Sequence, residues 1–487
     1  MRLVNFLNRQ ALHDVAATRQ LESHLRQGLP EHTLMARAGL AVARLALAIA
    51  PHAQRIWIAA GPGNNGGDGI EAALHLQRWG KQPLVSWLGT PEQAPADTRL
   101  ANQNALEAGV PFVAGPPAQF DLCIDALLGI GSQAREPAGL MADWIHQINR
   151  CGAPVLAVDV PSGLQADTGD ASACHVKASH TLSLLTLKPG LFTAQGRDLA
   201  GIVWLDDLRQ DQADPSAPAP LPPSAWLAGR PLATSRAHAS HKGSYGDVAV
   251  VGGAKGMTGA ALLAASAALH GGAGRVFVSL LDDQPLRLDT TQPDLMFREL
   301  NTLALEEMSV VCGCGGGTEI AAHLPVLLRS AKHLVIDADG LNAIAQSAPL
   351  QALLGERGRQ QRATILTPHP LEAARLLACS AADIQANRLA AVQQLARRFV
   401  CTVVLKGSGT LIAQADAAPA INPTGNARLA TGGTGDVLAG LIGARLAQGL
   451  NGFEAACQAV YQHGRVADLW PQDRALTAAR LATGLLG

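Results

Sequence analysis

The chain has almost no excess of charge: 38 Lys and Arg stand against 39 Asp and Glu, a formal net charge of −1. A surface without a dominant sign offers no electrostatic footprint for nucleic acid or an anionic membrane, so neither is an expected partner. Long apolar runs are missing too. The N-terminal "MRLVNFLNRQALHD" sustains no hydrophobic stretch, and "AGLAVARLALAIA" is interrupted by Arg44 and too short to span a bilayer. Cysteine is sparse. Its 8 residues, most of them inside apolar runs such as "DLCIDALL" and "FVCTVVL", make no disulfide framework and suit a reducing compartment. The expectation is a soluble, cytoplasmic protein. Cys312 and Cys314 in "VVCGCGGG" lack a second Cys/His pair at zinc-ligand spacing and read as strand-end packing. No G-x-x-x-x-G-K-[ST] stretch occurs, which excludes a Walker phosphate loop.

What is present is a repeated alternation of short apolar runs with longer amphipathic ones. "RIWIAA", "PLVSWLG", "FDLCIDALLG", "PVLAVDVPSG" and "HTLSLLTL" come first, then "DVAVVGG", "RVFVSLL", "MSVVCGCGGG", "HLVIDADGL", "TILTP" and "CTVVLKGSGTLIA". Near-continuous apolar strands separated by helices predict parallel sheets covered on both faces, with ligands beyond the carboxyl ends of the strands. Between the two series lies "RQDQADPSAPAPLPPSAW", whose composition cannot bury an apolar face and reads as an extended linker. The expected organisation is an α/β domain over 1–212, a Pro/Ala-rich linker over 213–225 and a second α/β domain over 226–487.

The loop "GPGNNGGDG" has the glycine spacing of a dinucleotide-binding turn, at Gly61, Gly63 and Gly66. Its context argues otherwise. Asp68 at the helix start would repel a pyrophosphate, and "PLVSWLG" lacks the acidic residue that grips a ribose. Asp125 and Asp159 close two further strands and should meet Asn65 and Asp68 at one sheet edge. Clustered carboxylates repel unless a cation or proton intervenes, and oxygens from Asn65, Asp125 and Ser162 suit a hard cation; the competing reading makes each aspartate a helix cap. In the second half, "NPTGNARLATGGTGDVLAGLIGARLA" carries Gly432, Gly433 and Gly435 just ahead of a helix. Converging N–H groups and the helix N-terminus form an anion hole, where Asp436 makes chemical sense as a base toward a substrate hydroxyl during phosphoryl transfer. Lys406 in "VVLKGSGTLIA" is placed to grip nucleotide phosphates, and His369 and Glu372 stand three apart at a helix start in "TPHPLEAARLL".

"GPGNNGGDG", "DALLGIG" and "VDVPSG" resemble the signature stretches of the NAD(P)H-hydrate epimerase domain. The resemblance implies a Rossmann-like three-layer α/β fold, with substrate held by Asn64, Asn65, Gly66, Gly67 and Asp68, by Gly129, Ile130, Gly131, Ser132, Gln133, Ala134 and Arg135, and by Asp159. It also implies K+ against Asn65, Asp125 and Ser162, and Asp159 as the acid/base of epimerisation. "GGTGD" is similar to the ribokinase-like superfamily. With "HKGSYGDVAVVGG", "GMTGAALLAASAAL", "TPHP" and "LKGSGT" in order, the second half resembles the ADP-dependent NAD(P)H-hydrate dehydratases. That resemblance implies substrate contacts at Ala260, Gly317, His369 and Asp436, and nucleotide contacts at Lys406, Gly407, Ser408, Gly409, Thr410 and Gly435. Mg2+ and ADP are the implied cofactor and co-substrate. Together the halves stand in the order of the bifunctional NAD(P)H-hydrate repair enzymes. The expected partners are NADH hydrate, NADPH hydrate and ADP, with further copies of the chain in a homo-oligomer. The alternative is a kinase of a vitamin-precursor alcohol carrying a non-catalytic N-terminal module.

Overall fold

The computed structural model describes residues 1–131, 136–208, 221–232, 237–283 and 285–485. Two compact units emerge, Met1–Asn5 with Ala11–Ala225, and Phe6–Gln10 with Trp226–Gly487. No helix among the described residues is long and apolar enough to cross a membrane. Most of the expected linker, 213–220, lies outside the described residues.

The strands in chain order are β1 (Arg2–Leu3), β2 (Gln10–Leu12), β3 (Arg55–Ala60), β4 (Gln82–Trp87), β5 (Leu122–Ala126), β6 (Val155–Val158), β7 (His180–Leu184) and β8 (Ile202–Asp206). The first unit is built on one sheet, ordered β1-β8-β7-β6-β5-β3-β4. All of its pairs are parallel except the antiparallel edge pair β1/β8. Side chains alternate across it with period two. Ile56, Ile58 and Ala60 face a cluster made with the helices Thr33–Ile49 and Asn64–Arg78, while Trp57 and Ala59 face Trp144, Ile145 and Ile148 of the helix Leu140–Arg150. Both faces are therefore covered, which is what continuous apolar strands require.

The second unit continues with β9 (Ala225–Leu227), β10 (Asp247–Gly252), β11 (Arg275–Leu280), β12 (Met296–Phe297), β13 (Ser309–Cys312), β14 (His333–Ile336), β15 (Thr364–Leu366), β16 (Thr402–Leu405), β17 (Leu411–Ala413) and β18 (Ala420–Ile421). Its sheet runs β12-β11-β10-β13-β14-β15-β16-β17-β18-β9. The centre, β11 to β16, is parallel; β17 pairs antiparallel with β16 and β18. The single run "CTVVLKGSGTLIA" is thus a hairpin, turning at Lys406–Thr410. Val250, Val278, Val311, Val335, Ile365 and Val404 share one core with the helices Thr258–His270, Thr434–Ala447 and Gly452–Leu469.

The second unit also takes Phe6–Gln10, which the 1–212 boundary had assigned to the first domain. The physical reason is an edge to cover. Arg230 N donates to Phe6 O at 2.7 Å, the Arg9 guanidinium lies 4.1 Å over the Trp226 ring, and a Cβ on Gly229 would fall 2.4 Å from Arg9 N. A short polar segment near the N-terminus carries no local sign of that use.

Two of the three glycines that mimic a dinucleotide loop, Gly61 and Gly66, prove to be packing residues. A Cβ on Gly61 would sit 1.8 Å from Leu127 O, and one on Gly66 2.0 Å from Gly61 O, whereas one on Gly63 meets nothing within 4 Å. Gly61→Ala is therefore expected to cost about 3 kcal/mol or more, a backbone collision that no rotamer relieves. Gly63→Ala is expected to cost under about 1 kcal/mol, the scale of a helix N-cap change. Denaturant unfolding of the two variants checks this; equal losses would contradict the packing account.

Candidate active sites

In the first unit the carboxyl ends of β3, β5 and β6 open onto a cavity of about 440 Å3. Its wall includes Asn64, Asn65 and Asp68 from the turn after β3, Gly129, Ile130 and Gly131 from the segment after β5, and Asp159 directly after β6. Gly66 and Gly67 stand behind this wall, Gly66 against Gly61 and Gly67 against Met35 and Thr98. Ser132, Gln133, Ala134 and Arg135 lie outside the described residues.

Asp159 is held in an unusual backbone state, φ +68°, which costs free energy in a non-glycine residue and persists only where the surroundings over-determine it. They do so here. The ammonium of Lys188, a fully buried side chain, ion-pairs with Asp159 Oδ1, and Leu184 N donates to the same oxygen at 3.1 Å. Lys188 Nζ also donates to Leu184 O at 2.6 Å and Ser183 Oγ at 3.3 Å, so the cation's hydrogen-bonding capacity is met inside the protein. Across the cavity, burial pushes the Asp68 carboxyl well above the usual carboxylate range, and the facing charge of Asp159 adds to the shift. Two carboxyls, one paired with a buried lysine and one pushed up by burial, thus border the same cavity.

Behind them Asp125 is wholly buried. Its Oδ1 accepts from Ser162 Oγ at 2.6 Å and Leu127 N at 3.3 Å, and its Oδ2 from Ser162 N at 2.9 Å. Burial raises its pKa to about 6 against these hydrogen bonds, which lower it. The same short segment touches Ser162 and Asn65: Leu128 N donates to Ser162 Oγ at 2.9 Å, and a Cβ on Gly129 would fall 2.9 Å from Asn65 Oδ1. Asn65 Nδ2 is buried without a hydrogen-bond partner. The three residues expected to hold a cation are therefore gathered around residues 127–129, with a buried carboxylate and an unpaired amide among them.

In the second unit the corresponding sheet edge carries Asp337 after β14, Lys406 after β16 and Asp436 in the first turn of the helix Thr434–Ala447. Lys406 Nζ lies 2.7 Å from Asp337 Oδ1 and 3.9 Å from Glu372 Oε2, and Thr367 Oγ1 donates to Asp337 Oδ1 at 2.8 Å. Burial disfavours the Lys406 ammonium, but Asp337 and then Glu372 outweigh it and raise its pKa. Gly435 packs over this pair: a Cβ there would stand 3.3 Å from Lys406 Nζ and 3.8 Å from Asp337 Oδ2. Next to it, burial and the charge of Asp337 bring Asp436 to about 6.

His369 is the N-cap of the helix Pro370–Leu377. Its Nδ1 accepts from Leu371 N at 3.1 Å and Glu372 N at 3.3 Å, while Glu372 Oε2 accepts from His369 N at 2.8 Å. An accepting Nδ1 leaves the proton of the neutral ring on Nε2, 3.2 Å from Glu372 Oε1. His369 thus joins the site through Glu372. Gly317 (φ +56°) donates its N–H to Asp339 Oδ2 at 2.9 Å, and Ala260 lies against Gly315 on the same loop. Gly407 (φ +137°) turns the hairpin over Arg388, and Thr410 Oγ1 donates back to Gly407 O at 3.0 Å; Ser408 and Gly409 complete that turn.

Two residues central to these sites, Lys188 and Asp337, were not singled out from sequence, and a third, Cys314, was read only as strand-end packing. Lys188 is the one cation in the run "HTLSLLTLKPG", and a buried lysine requires an acid; Asp337 closes its strand as Asp125 and Asp159 close theirs. Cys314 agrees with the packing expectation in being fully buried, but its thiol also lies among the acids: Sγ and one oxygen each of Asp337 and Asp436 all fall within 4.8 Å of one another.

Comparison with known proteins identifies both halves. A family model described as NAD(P)H-hydrate dehydratase matches residues 248–485, and one described as YjeF-related protein N-terminus matches 31–190. The bifunctional NAD(P)H-hydrate repair enzyme Nnr of Escherichia coli (strain K12) is 36% identical over 481 residues, covering 94% of this chain and 88% of its own. The Coxiella burnetii protein of the same name is 37% identical over 454 residues, covering 91% of each. Among solved structures, the ADP/ATP-dependent NAD(P)H-hydrate dehydratase from Bacillus subtilis, co-crystallised with ATP/Mg2+, is 29% identical with a TM-score of 0.44, covering 52% of this chain and 91% of that one.

The Lys188–Asp159 pair makes a stability prediction independent of any substrate. Lys188→Met leaves a buried, strained carboxylate without its cation and is expected to cost about 3–5 kcal/mol. Adding Asp159→Asn to Lys188→Met should recover a large part of that loss. Denaturant unfolding of the single and double variants decides it; a single variant as stable as the parent would remove the pair from this role.

Proposed function

The chain belongs to the family of bifunctional NAD(P)H-hydrate repair enzymes, and from that membership we propose how its two units divide the work. The first unit interconverts the R and S epimers of NADH hydrate and NADPH hydrate. The second dehydrates the S epimer at the expense of ADP, giving NAD(P)H, AMP and phosphate. The observation that carries this reading is the pairing, in each unit, of one lysine-held aspartate with a second carboxyl raised by burial, both at the carboxyl edge of a parallel sheet.

The hydrated cofactor bears a hydroxyl at C6 of the ring, beside the ring nitrogen. Epimerisation requires that carbon to lose and regain its configuration, by hemiaminal opening or by departure and return of the hydroxyl. Asp159, fixed by Lys188 and Leu184, accepts a proton in either route, and Asp68, whose burial favours the protonated form, supplies one. Substrate rests against Asn64, Asn65, Gly129, Ile130 and Gly131 on the same wall; contacts at Gly66, Gly67 and Ser132, Gln133, Ala134 and Arg135 belong to the same proposal. K+ fits Asn65, Asp125 and Ser162: the buried Asp125 carboxylate lacks a counter-cation among these partners, and turning the Asn65 amide over presents its oxygen in place of the unpaired nitrogen. Held by these residues, such an ion would neutralise Asp125 and stiffen the 127–129 segment that lines the cavity.

In the second unit hydroxide is a poor leaving group and must be converted to a better one. Asp436 takes the hydroxyl proton, the oxygen attacks the β-phosphorus of ADP, and AMP departs. The ring-nitrogen lone pair then expels phosphate, and loss of the C5 proton restores the dihydronicotinamide. Lys406 and the turn Gly407, Ser408, Gly409 and Thr410, with Gly435 at the helix N-terminus, hold the nucleotide phosphates in this reading, which the Lys406 ammonium and the glycine turn beside it support. Ala260, Gly317 and His369 contact the substrate. Glu372 supplies a buried carboxylate oxygen suited to Mg2+, which offsets phosphate charge when bound. The kinase alternative is not favoured, because family membership extends over both halves. The cytoplasm and a homo-oligomer are part of the same proposal; analytical ultracentrifugation addresses the second.

Asp436→Asn keeps volume and capping oxygen but removes the base, so ADP-dependent recovery of dihydronicotinamide absorbance from S-NADH hydrate should fall by roughly 100-fold or more. Epimer exchange should persist. Near-normal dehydration by the folded variant would withdraw Asp436 from the role.

A further inference from the structure

The turn after β13 reads Gly313-Cys314-Gly315, and both glycines take positive φ, 100° and 56°. Gly253 N donates to Cys314 O at 3.0 Å and Ala254 N to Gly315 O at 2.7 Å, so this reversal is stapled to the end of β10. Left-handed φ on each side of one residue bends the backbone sharply, and the result is a thiol with no solvent exposure set among the strand-end acids. Packing alone asks for none of this. An alanine would fill an apolar strand end equally well.

The groups facing Asp436 are few. Asp337, beyond β14, and Asp339, in the helix Ala338–Ala345, repel its charge; Lys406, beyond β16, attracts it, but that ammonium is already engaged by Asp337 at 2.7 Å and lies 3.9 Å from Glu372. His463, on the helix Gly452–Leu469, turns its Nε2 to Thr434 O at 2.9 Å and so stiffens the first turn beneath Asp436. Cys314 also stands beside Asp436, its Sγ within 4.8 Å of a carboxylate oxygen of Asp436 and of Asp337. We propose that Cys314 is a positioning residue of the dehydratase site: its neutral S–H donates to the Asp436 carboxylate, aims that base and favours its ionised form against the two facing aspartates. The proposal rests on the reading of Asp436 as the base.

Burial, followed by the charges of Asp436 and Asp337, holds the thiol well above its ordinary range, so it stays an S–H donor throughout the working range of the base. A donor to the charged form lowers a carboxyl's pKa, and its removal raises it. Because Asp436 works only when ionised, activity grows as pH rises through its pKa, and losing the donor moves that rise to higher pH.

The test is the pH dependence of kcat for ADP-dependent dehydration of S-NADH hydrate by the full chain, for the parent, Cys314→Ala and Cys314→Ser, with Asp436→Asn measured alongside. In Cys314→Ala the acid limb should move up by roughly half a pH unit or more, with most of the parental kcat regained above it. Cys314→Ser, which keeps a donor of similar size, should return the limb to the parental position. An unmoved limb in Cys314→Ala, with a lower Tm or without one, overturns the proposal, as does a serine variant that behaves like alanine. If Asp436→Asn dehydrates normally, the assignment of the base itself fails; if it is inactive while the Cys314→Ala limb stays put, only the role of the thiol fails.

Discussion

Carboxylates at the ends of parallel strands must be compensated, and each unit of this chain sets a lysine against one of them, fully buried in the first unit and partly exposed in the second. Lys188 pairs with Asp159 in the first and Lys406 with Asp337 in the second. Without those cations the strand ends would hold uncompensated buried charge, costing several kcal/mol per ion. The supply is deliberately short in its effect: one cation fixes one aspartate, and a neighbouring acid is left to burial. Asp125 and Asp436 each rise to about 6, and Asp68 rises well above the usual range. Proton-transfer chemistry near neutral pH needs carboxyls poised in this way.

Glycine serves that arrangement by letting backbone approach backbone. Gly61 and Gly66 bring the helix Asn64–Arg78 down onto β3 and the segment after β5, so that Asn64, Asn65 and Asp68 arrive at the strand ends. Gly313 and Gly315 do the same for the Cys314 turn, and Gly435 lets the helix Thr434–Ala447 begin directly over the Lys406–Asp337 pair. In both units the glycines set distance and the acids set chemistry.

Much of this was legible along the chain. Each expected apolar run forms a strand, because a strand buried on both faces must be apolar at every position, and that pattern is local. Asp125, Asp159 and Asp436 were readable as carboxylates placed where a strand ends or a helix starts. Lys188 and Asp337 were harder to see, since their meaning lies in partners 29 and 69 residues away. Cys314 looked like packing because a buried thiol and a hydrogen-bonding thiol share one sequence signature. Phe6–Gln10 escaped for a related reason: a short segment that covers an edge takes its register from the sheet it joins.

The central claim is that the two units divide the repair, epimer exchange at one site and ADP-dependent dehydration at the other. It is tested most directly by complementation in trans, mixing the full-length Asp159→Asn and Asp436→Asn proteins with equilibrated R- and S-NADH hydrate and ADP. Alone, the first variant should rapidly repair only the S fraction and the second should repair neither. Together they should restore dihydronicotinamide absorbance for both epimers at enzymatic rate. A mixture that stops at the S fraction would contradict the account.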